Sequence, residues 1–307
     1  MSQLVVTSLT NSDAEYYDSF IPFVLSLQDT DFKGKVAVLT HGVSENKVDF
    51  LKSKGIDGFP VETLYENEHL DDIVTIIKAS EELKCSDIAW YDVATWFPGP
   101  EFTIFSQLNS RSVLYSTCHK YYQESIRRMN VSQDVLNHIP VAEDSREYQT
   151  SLIAGNIEAW KYYQQWLLEK IQGEESDQFS VLENKVLFNL YMAEKPESGS
   201  ILPVTYCAVE NAGIRLRNTG GSGGLALLCE NKKVEAILNQ PQDTLYLYRA
   251  WRKHDFSRLK EDWQFNQAPY WTIELDSCRT PQEREFAENP IDLKLESVEA
   301  NFISYAF

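Results

Sequence analysis

The apolar, β-branched run LVVTSLT at residues 4–10 predicts a first strand. In SDAEYYDSFIPFVLSL the apolar residues recur at helical spacing behind Ser12 or Asp13 as the N-cap, which predicts a helix. KVAVLTH, residues 35–41, predicts a second strand. SENKVDFLKSKG opens on Ser44 and closes on Gly55, the pattern of a helix capped at both ends. GFPVETL predicts a weak third strand. In LDDIVTIIKASEELK, residues Leu70, Ile73, Ile77 and Leu83 fall near one face of an amphipathic helix. DIAWYDV predicts a fourth strand. Strands that alternate with helices imply an α/β fold, a mostly parallel sheet with helices on its faces. Ligands of such sheets bind at the carboxyl ends of the strands, and Asp92 stands at one of those ends.

The second half is less regular. SVLYST predicts a strand and HKYYQESIRRM a helix, and the polar, mixed segment 130–148 reads as a surface excursion. SLIAGNIEAWKYYQQWLLEKI predicts strand, turn and long amphipathic helix. DQFSVLENKVLFNLYMAE predicts another helix, starting at Asp177. After Pro203 the pattern turns β-rich through GIRLRN, the glycine-rich TGGSGG and LALLCE, and residues 291–296 alternate strictly, as a half-exposed strand does. No internal repeat and no Pro/Gly/Ser-rich linker divides the chain, so one domain with a mixed, β-rich C-terminal part is expected.

Composition narrows the function classes. The 307 residues are 43% hydrophobic and 24% charged, enough for a large core without staples. The net charge of −18, with no Lys/Arg-rich run, argues against nucleic acid and against an anionic membrane surface as partner. An anionic ligand would need a local site built for it. Cys85, Cys118, Cys207, Cys229 and Cys278 are widely spaced and form no Cys/His cluster, so reduced thiols are expected rather than structural zinc. MSQLVVTSLT lacks the charged start and long apolar core of a signal peptide, and no run approaches the ~20 apolar residues of a membrane span. A cytoplasmic protein is the expectation.

Several residues could carry chemistry. Asp92 could hold a divalent ion or a ribose hydroxyl, or could simply close a turn. Asp177, at a predicted helix start, could act as general base on a hydroxyl, or could be an ordinary N-cap. Gly155 either packs a strand against a helix or lets a ligand approach the backbone. Arg215 and Arg217 flank Leu216 and so share a strand face, just before backbone amides of a glycine-rich loop that could meet phosphate. The same residues also read as an edge strand and hairpin loop, because the lysine and helix of a phosphate loop are missing. His119, His138 and His254 are isolated. Among the tryptophans, Trp96 follows the Asp92 turn and is the best placed to stack on a ligand. GxSxG, HExxH, GxxxxGK[ST] and GxGxxG are all absent, which argues against the common serine hydrolases, zinc proteases, phosphate-loop NTPases and dinucleotide folds.

The ordered set VVTSLTN, FIPFVLSL, GKVAVLTHGVSENKVDFL, DIAWYDVATWF with PGPEF, SLIAGNIEAW and DQFSVLEN resembles the GT-A type glycosyltransferases over residues 3–210. The resemblance implies a Rossmann-like GT-A fold, divided into a nucleotide-binding half (1–128), an acceptor half (129–230) and a C-terminal extension (231–307). It implies a hexosyltransferase-like enzyme that uses a nucleotide-diphosphate sugar, with a glycan, a protein or a small molecule as acceptor. Thr7, Ser8, Asn11, Asp92, Ala94 and Trp96 would then line the donor, Gly155, Asn156 and Gln178 the acceptor or sugar, and Asp177 would be catalytic. Arg215 and Arg217 would meet phosphate. A manganese or magnesium ion would lie on Asp92, with His254 as a late ligand. The chain departs from the family's Asp-x-Asp pair at Ala94, whose methyl group offers no oxygen to a hard cation. That departure fits a metal-independent enzyme with cationic side chains in the ion's place, a catalytically silent binder of a saccharide or protein, or a deliberate substitution.

Overall fold

Ten strands and six α-helices are formed by the described residues of a computed structural model. These residues are 2–12, 15–28, 30–65, 67–93, 95–97, 102–109, 112–121, 146–173, 176–202, 206 and 227–228. The strands are β1 (Gln3–Thr10), β2 (Lys35–His41), β3 (Ile56–Pro60), β4 (Asp87–Tyr91), β5 (Thr95–Trp96), β6 (Leu114–Tyr121), β7 (Arg146–Tyr148), β8 (Leu152–Asn156), β9 (Gly199–Leu202) and β10 (Leu227–Leu228). The helices are α1 (Ile21–Gln28), α2 (Glu45–Ser53), α3 (Glu68–Leu83), α4 (Ile157–Ile171), α5 (Ser176–Phe179) and α6 (Asn184–Glu194). They divide into two units: one from Met1–Thr10, Lys33–Asp92 and Thr103–Tyr206, the other from Asn11–Phe32, Val93–Phe102 and the described residues after Tyr206.

The first unit holds a mixed sheet in the order β3-β2-β1-β4-β8-β6-β7, with β9 also paired to β6. Strands β3, β2, β1 and β4 are mutually parallel, and β8 runs antiparallel to β4. Helices cover both faces. Leu4, Val6, Ala37 and Leu39 pack in one core with Ile73 and Ile76 of α3, Trp160 and Leu167 of α4, and Leu187 of α6. Phe59 joins that core, so its neighbour Gly58 faces the other way. A Cβ on Gly58 would meet Val48 of α2, which places α2 on the opposite face.

Local chemistry explains the helix ends. Asn67 caps α3 by accepting the Leu70 N–H, and Asn156 caps α4 by accepting that of Ala159. Ser44 stands at the N-cap of α2 but its hydroxyl makes no capping bond, so that helix start is weaker than the sequence suggests. Gly55, at φ +80°, and Lys84, at φ 56°, end α2 and α3 in the left-handed region.

Three elements differ from the sequence expectation. The third strand begins at Ile56, two residues early, and stops at Pro60. His119–Tyr121, predicted to open a helix, continue β6, because this stretch pairs with β7; a strand partner outweighs local propensity. The helix predicted from Asp177 is two pieces, α5 and α6, with a break at residues 180–183. There the Ser180 and Leu182 carbonyls accept from the Asn67 side chain.

In the second unit, a π-helical turn (Tyr16–Phe20) runs into α1. Pro22 has no N–H to continue an α ladder, and Ile21 closes the preceding turn by donating to the Tyr16 carbonyl. Ser26 accepts the Phe97 N–H at 3.1 Å, the Phe23 and Phe97 rings meet edge to face, and β5 pairs antiparallel with β10.

Candidate functional site

The candidate site is the carboxyl edge of the parallel strands in the first unit. From β1 the chain passes to β2 on one side, while β4 pairs on the other, so the strand order reverses beside β1. Such a switch point opens a crevice for ligand. Strand β1 stays paired with β2 as far as Thr10 opposite His41. Its ladder with β4 stops at Val6 opposite Trp90. The two strands therefore separate at their carboxyl ends, with Thr7 and Ser8 on one side and Asp92 on the other.

Thr7 is fully buried, Ser8 is half-buried, and neither hydroxyl oxygen has a hydrogen-bond partner among the described residues. Buried hydroxyls without partners are costly. Alternation sends the two to opposite faces: Ser8 follows Leu4 and Val6 toward the α3 side and Thr7 turns away. Asp92 is exposed, and its N–H donates to the Ser151 carbonyl at 2.9 Å. The start of antiparallel β8 thus lies beside the end of β4.

The first turn of α3 shares this edge. His41, at the end of β2, has Nε2 3.2 Å from Asp72 Oδ1. Asp71 accepts the N–H groups of Leu64 and Tyr65, each at 3.1 Å, which shapes the loop after β3. Burial raises the Asp71 pKa, and these two bonds oppose the rise. The Asp177–Gln178 backbone is brought to the same edge: Ser180 N–H donates to Ser176 O around it, and Asn67 holds Ser180 and Leu182. Asp177 is the second residue of a four-residue helix and not the N-cap of a long one.

Gly155 and Asn156 are not part of this edge. In the antiparallel register Asn156 pairs with Asp87 and Gly155 with Ile88, at the amino end of β4. The Asn156 oxygen is engaged as a helix cap. A Cβ on Gly155 would lie 2.7 Å from Leu114 Cδ2 and 3.1 Å from the Val113 carbonyl oxygen, so this glycine packs strand against strand. The direction of β8 thus sets both residues, expected on the acceptor side, at the end of β4 away from Asp92. Asn11 and Trp96 belong to the second unit, Asn11 exposed and Trp96 in β5. Ala94, Arg215, Arg217 and His254 lie outside the described residues.

Among the described residues, no group of three or more His, Cys, Asp or Glu could hold a metal ion. At the end of β4 itself, Asp92 brings one carboxylate, and a protein-built divalent site uses more oxygens than one side chain supplies. No helix of the described residues is long and apolar enough to cross a membrane.

Reasoning from sequence missed Asn67, His41, Asp72 and Ser151. An N-cap signal marks Asn67, an Asn directly before the amphipathic run of α3. No local signal marks Ser151, whose position depends on the direction of β8.

No family model matches this chain, and no curated protein does. Among solved structures it is similar to mouse xyloside xylosyltransferase 1 in its apo form, with a TM-score of 0.48 and 11% identity over 75% of this chain and 98% of that one. It is similar to the galactosyltransferase LgtC in complex with donor and acceptor sugar analogues, with a TM-score of 0.48 and 11% identity over 76% and 93% of the two chains. Similarity to the bifunctional glycosyltransferase WbbM in its apo form has a TM-score of 0.48 and 13% identity, covering 81% of this chain and 51% of that one. Likeness of this degree assigns no role to any residue.

Proposed function

We propose that this protein is a GT-A type glycosyltransferase that moves a sugar from a nucleotide-diphosphate donor to an acceptor hydroxyl, with weak or no dependence on a divalent metal. The observation that carries the reading is the parting of β1 and β4 at the switch point: past the last pair, Val6–Trp90, β1 continues into Thr7 and Ser8, whose hydroxyls have no partner among the described residues, and β4 runs on to Asp92. A nucleoside offers ring and ribose hydrogen-bonding groups to such a crevice, and Asp92 would accept from a ribose hydroxyl. The ordered resemblance along residues 3–210 supports the same reading.

In the transfer, the bond from sugar C1 to the diphosphate oxygen breaks and the diphosphate leaves with the electron pair. The acceptor oxygen bonds to C1 and loses its proton. Asp177 would take that proton or position the sugar, and Gln178 would hydrogen-bond sugar hydroxyls. The sequence resemblance also assigns Asn11, Ala94 and Trp96 to the donor. With Ala94 offering no ligand oxygen, Arg215 and Arg217 would offset phosphate charge, and His254 would matter only if a metal binds. Ala94 itself favours a second reading, a catalytically silent protein of this fold that binds a saccharide or a protein.

A thermal-shift screen against nucleotides and nucleotide sugars, with and without manganese, followed by a transfer assay on the stabilising donor, tests both. Ligand bound to the folded state raises Tm by mass action. A metal-independent shift with turnover is the expected result. A shift without turnover supports the silent binder, and no shift with any donor removes Asp92 from the site.

A further inference from the structure

Asn67 is 5% exposed, yet it precedes α3 at the edge where Asp92 stands. Its carboxamide is fully engaged. Oδ1 accepts the Leu70 N–H at 3.1 Å, and Nδ2 donates to the Ser180 carbonyl at 2.9 Å and to the Leu182 carbonyl at 3.1 Å. One side chain therefore closes the start of a 16-residue helix and grips a loop 113 and 115 residues away.

The gripped loop follows α5, which carries Asp177 and Gln178. A four-residue helix is too short to hold its own geometry. Ser180 N–H donates to Ser176 O at 2.9 Å around it, and buried Phe179 packs under the Lys170 ammonium. The Ser180 and Leu182 carbonyls would extend α5 into α6 if left to bond along the chain. Captured by Asn67, they stop the helix and fix the turn to α3, whose Ile73 and Ile76 are locked into the main core.

Resting on the sugar-transfer reading of Asp177–Gln178, we infer that Asn67 is a positioning residue: its carboxamide holds that turn in register with the first turn of α3 and so sets the geometry of transfer. It does so without touching substrate, because both amide protons and the oxygen are spent within the protein.

Asn67→Ser tests this. Serine keeps an N-cap acceptor for α3 and removes both donors to the loop. Asn67→Asp, which keeps the cap and the side-chain volume, carries the same test if the serine variant does not fold. Ser80→Ala is the control for lost stability, since it removes a buried hydroxyl's bond to the Cys85 carbonyl at the other end of α3. kcat and donor KM are measured together with hydrogen exchange over residues 176–183. For Asn67→Ser we expect kcat to fall roughly ten- to a hundredfold with little change in donor KM, and exchange over 176–183 to quicken. Ser80→Ala should lose stability and keep kcat. A folded Asn67→Ser protein with unchanged kcat, beside an active wild type, overturns the positioning role. A wild type that transfers no sugar from any donor overturns the site reading instead, and the positioning role with it; exchange over 176–183 would then report only whether the latch exists.

Discussion

Asn156 pairs with Asp87 across β8 and β4, so it stands five strand positions from Asp92. At roughly 3.3 Å per position the separation along the strand is about 17 Å. The carbonyl beside Asp92 belongs to Ser151, at the opposite end of the same strand. Asn156→Ala should therefore act on stability alone. Losing the bond to Ala159 N–H should cost about 1 kcal/mol, read as a lower urea midpoint, with the transfer rate per folded molecule unchanged. A large fall in rate at unchanged stability would return Asn156 to the site.

Gly155→Ala should destabilise by roughly 1–3 kcal/mol. The new methyl group would press on Leu114 Cδ2 at 2.7 Å, which can shift, and on the Val113 carbonyl at 3.1 Å, which is backbone and yields little. Denaturant unfolding measures the cost. Wild-type stability in the alanine variant would mean that β6 and β8 move apart easily.

His69 should make the fold sensitive to acid. Its Nε2 shares a 2.8 Å hydrogen bond with the Tyr163 hydroxyl, and burial lowers its pKa from 6.5 to about 3. The unfolded chain thus binds a proton on His69 that the folded chain refuses between those values. Stability contributed by the neutral ring is complete above pH 6.5 and is lost as pH falls toward 3, by about 1.4 kcal/mol per pH unit. His69→Gln cannot take up that proton. Its stability should fall less steeply between pH 6 and pH 4, by about one proton's worth. Equal slopes for the two proteins would show that His69 is protonated in the folded state.

Asp177→Ala should abolish transfer while leaving the melting temperature within a few degrees of wild type, because the Ser180–Ser176 backbone bond and the Asn67 contacts that hold the turn do not use the Asp177 side chain. Transfer that survives the change takes Asp177 out of the mechanism, and Gln178 would be the next residue to test.

Ala94→Asp supplies the carboxylate that the Asp-x-Asp pattern lacks. If the donor side is otherwise intact, manganese-dependent hydrolysis of the nucleotide sugar should appear or rise in this variant. Donor binding that stays indifferent to manganese would mean that the chain handles phosphate charge by other groups.

The parallel half of the sheet was legible in the sequence. Apolar runs at 4–10, 35–41 and 87–91, with amphipathic segments between them, determine strands and helices by local alternation, and the crossover rule then makes the strands parallel. Asp92 could be assigned to the carboxyl edge on that basis alone. Tertiary structure decided what depends on distant partners. The extension of β6 through Tyr121 needs β7, and the break after α5 needs the Asn67 amide, 113 residues earlier in the chain. The direction of β8 separates Asn156 from Asp92, and residue spacing within LIAGN is the same whichever way that strand runs. Local periodicity records which residues face a core. It does not record which backbone groups, far apart in sequence, will satisfy one another.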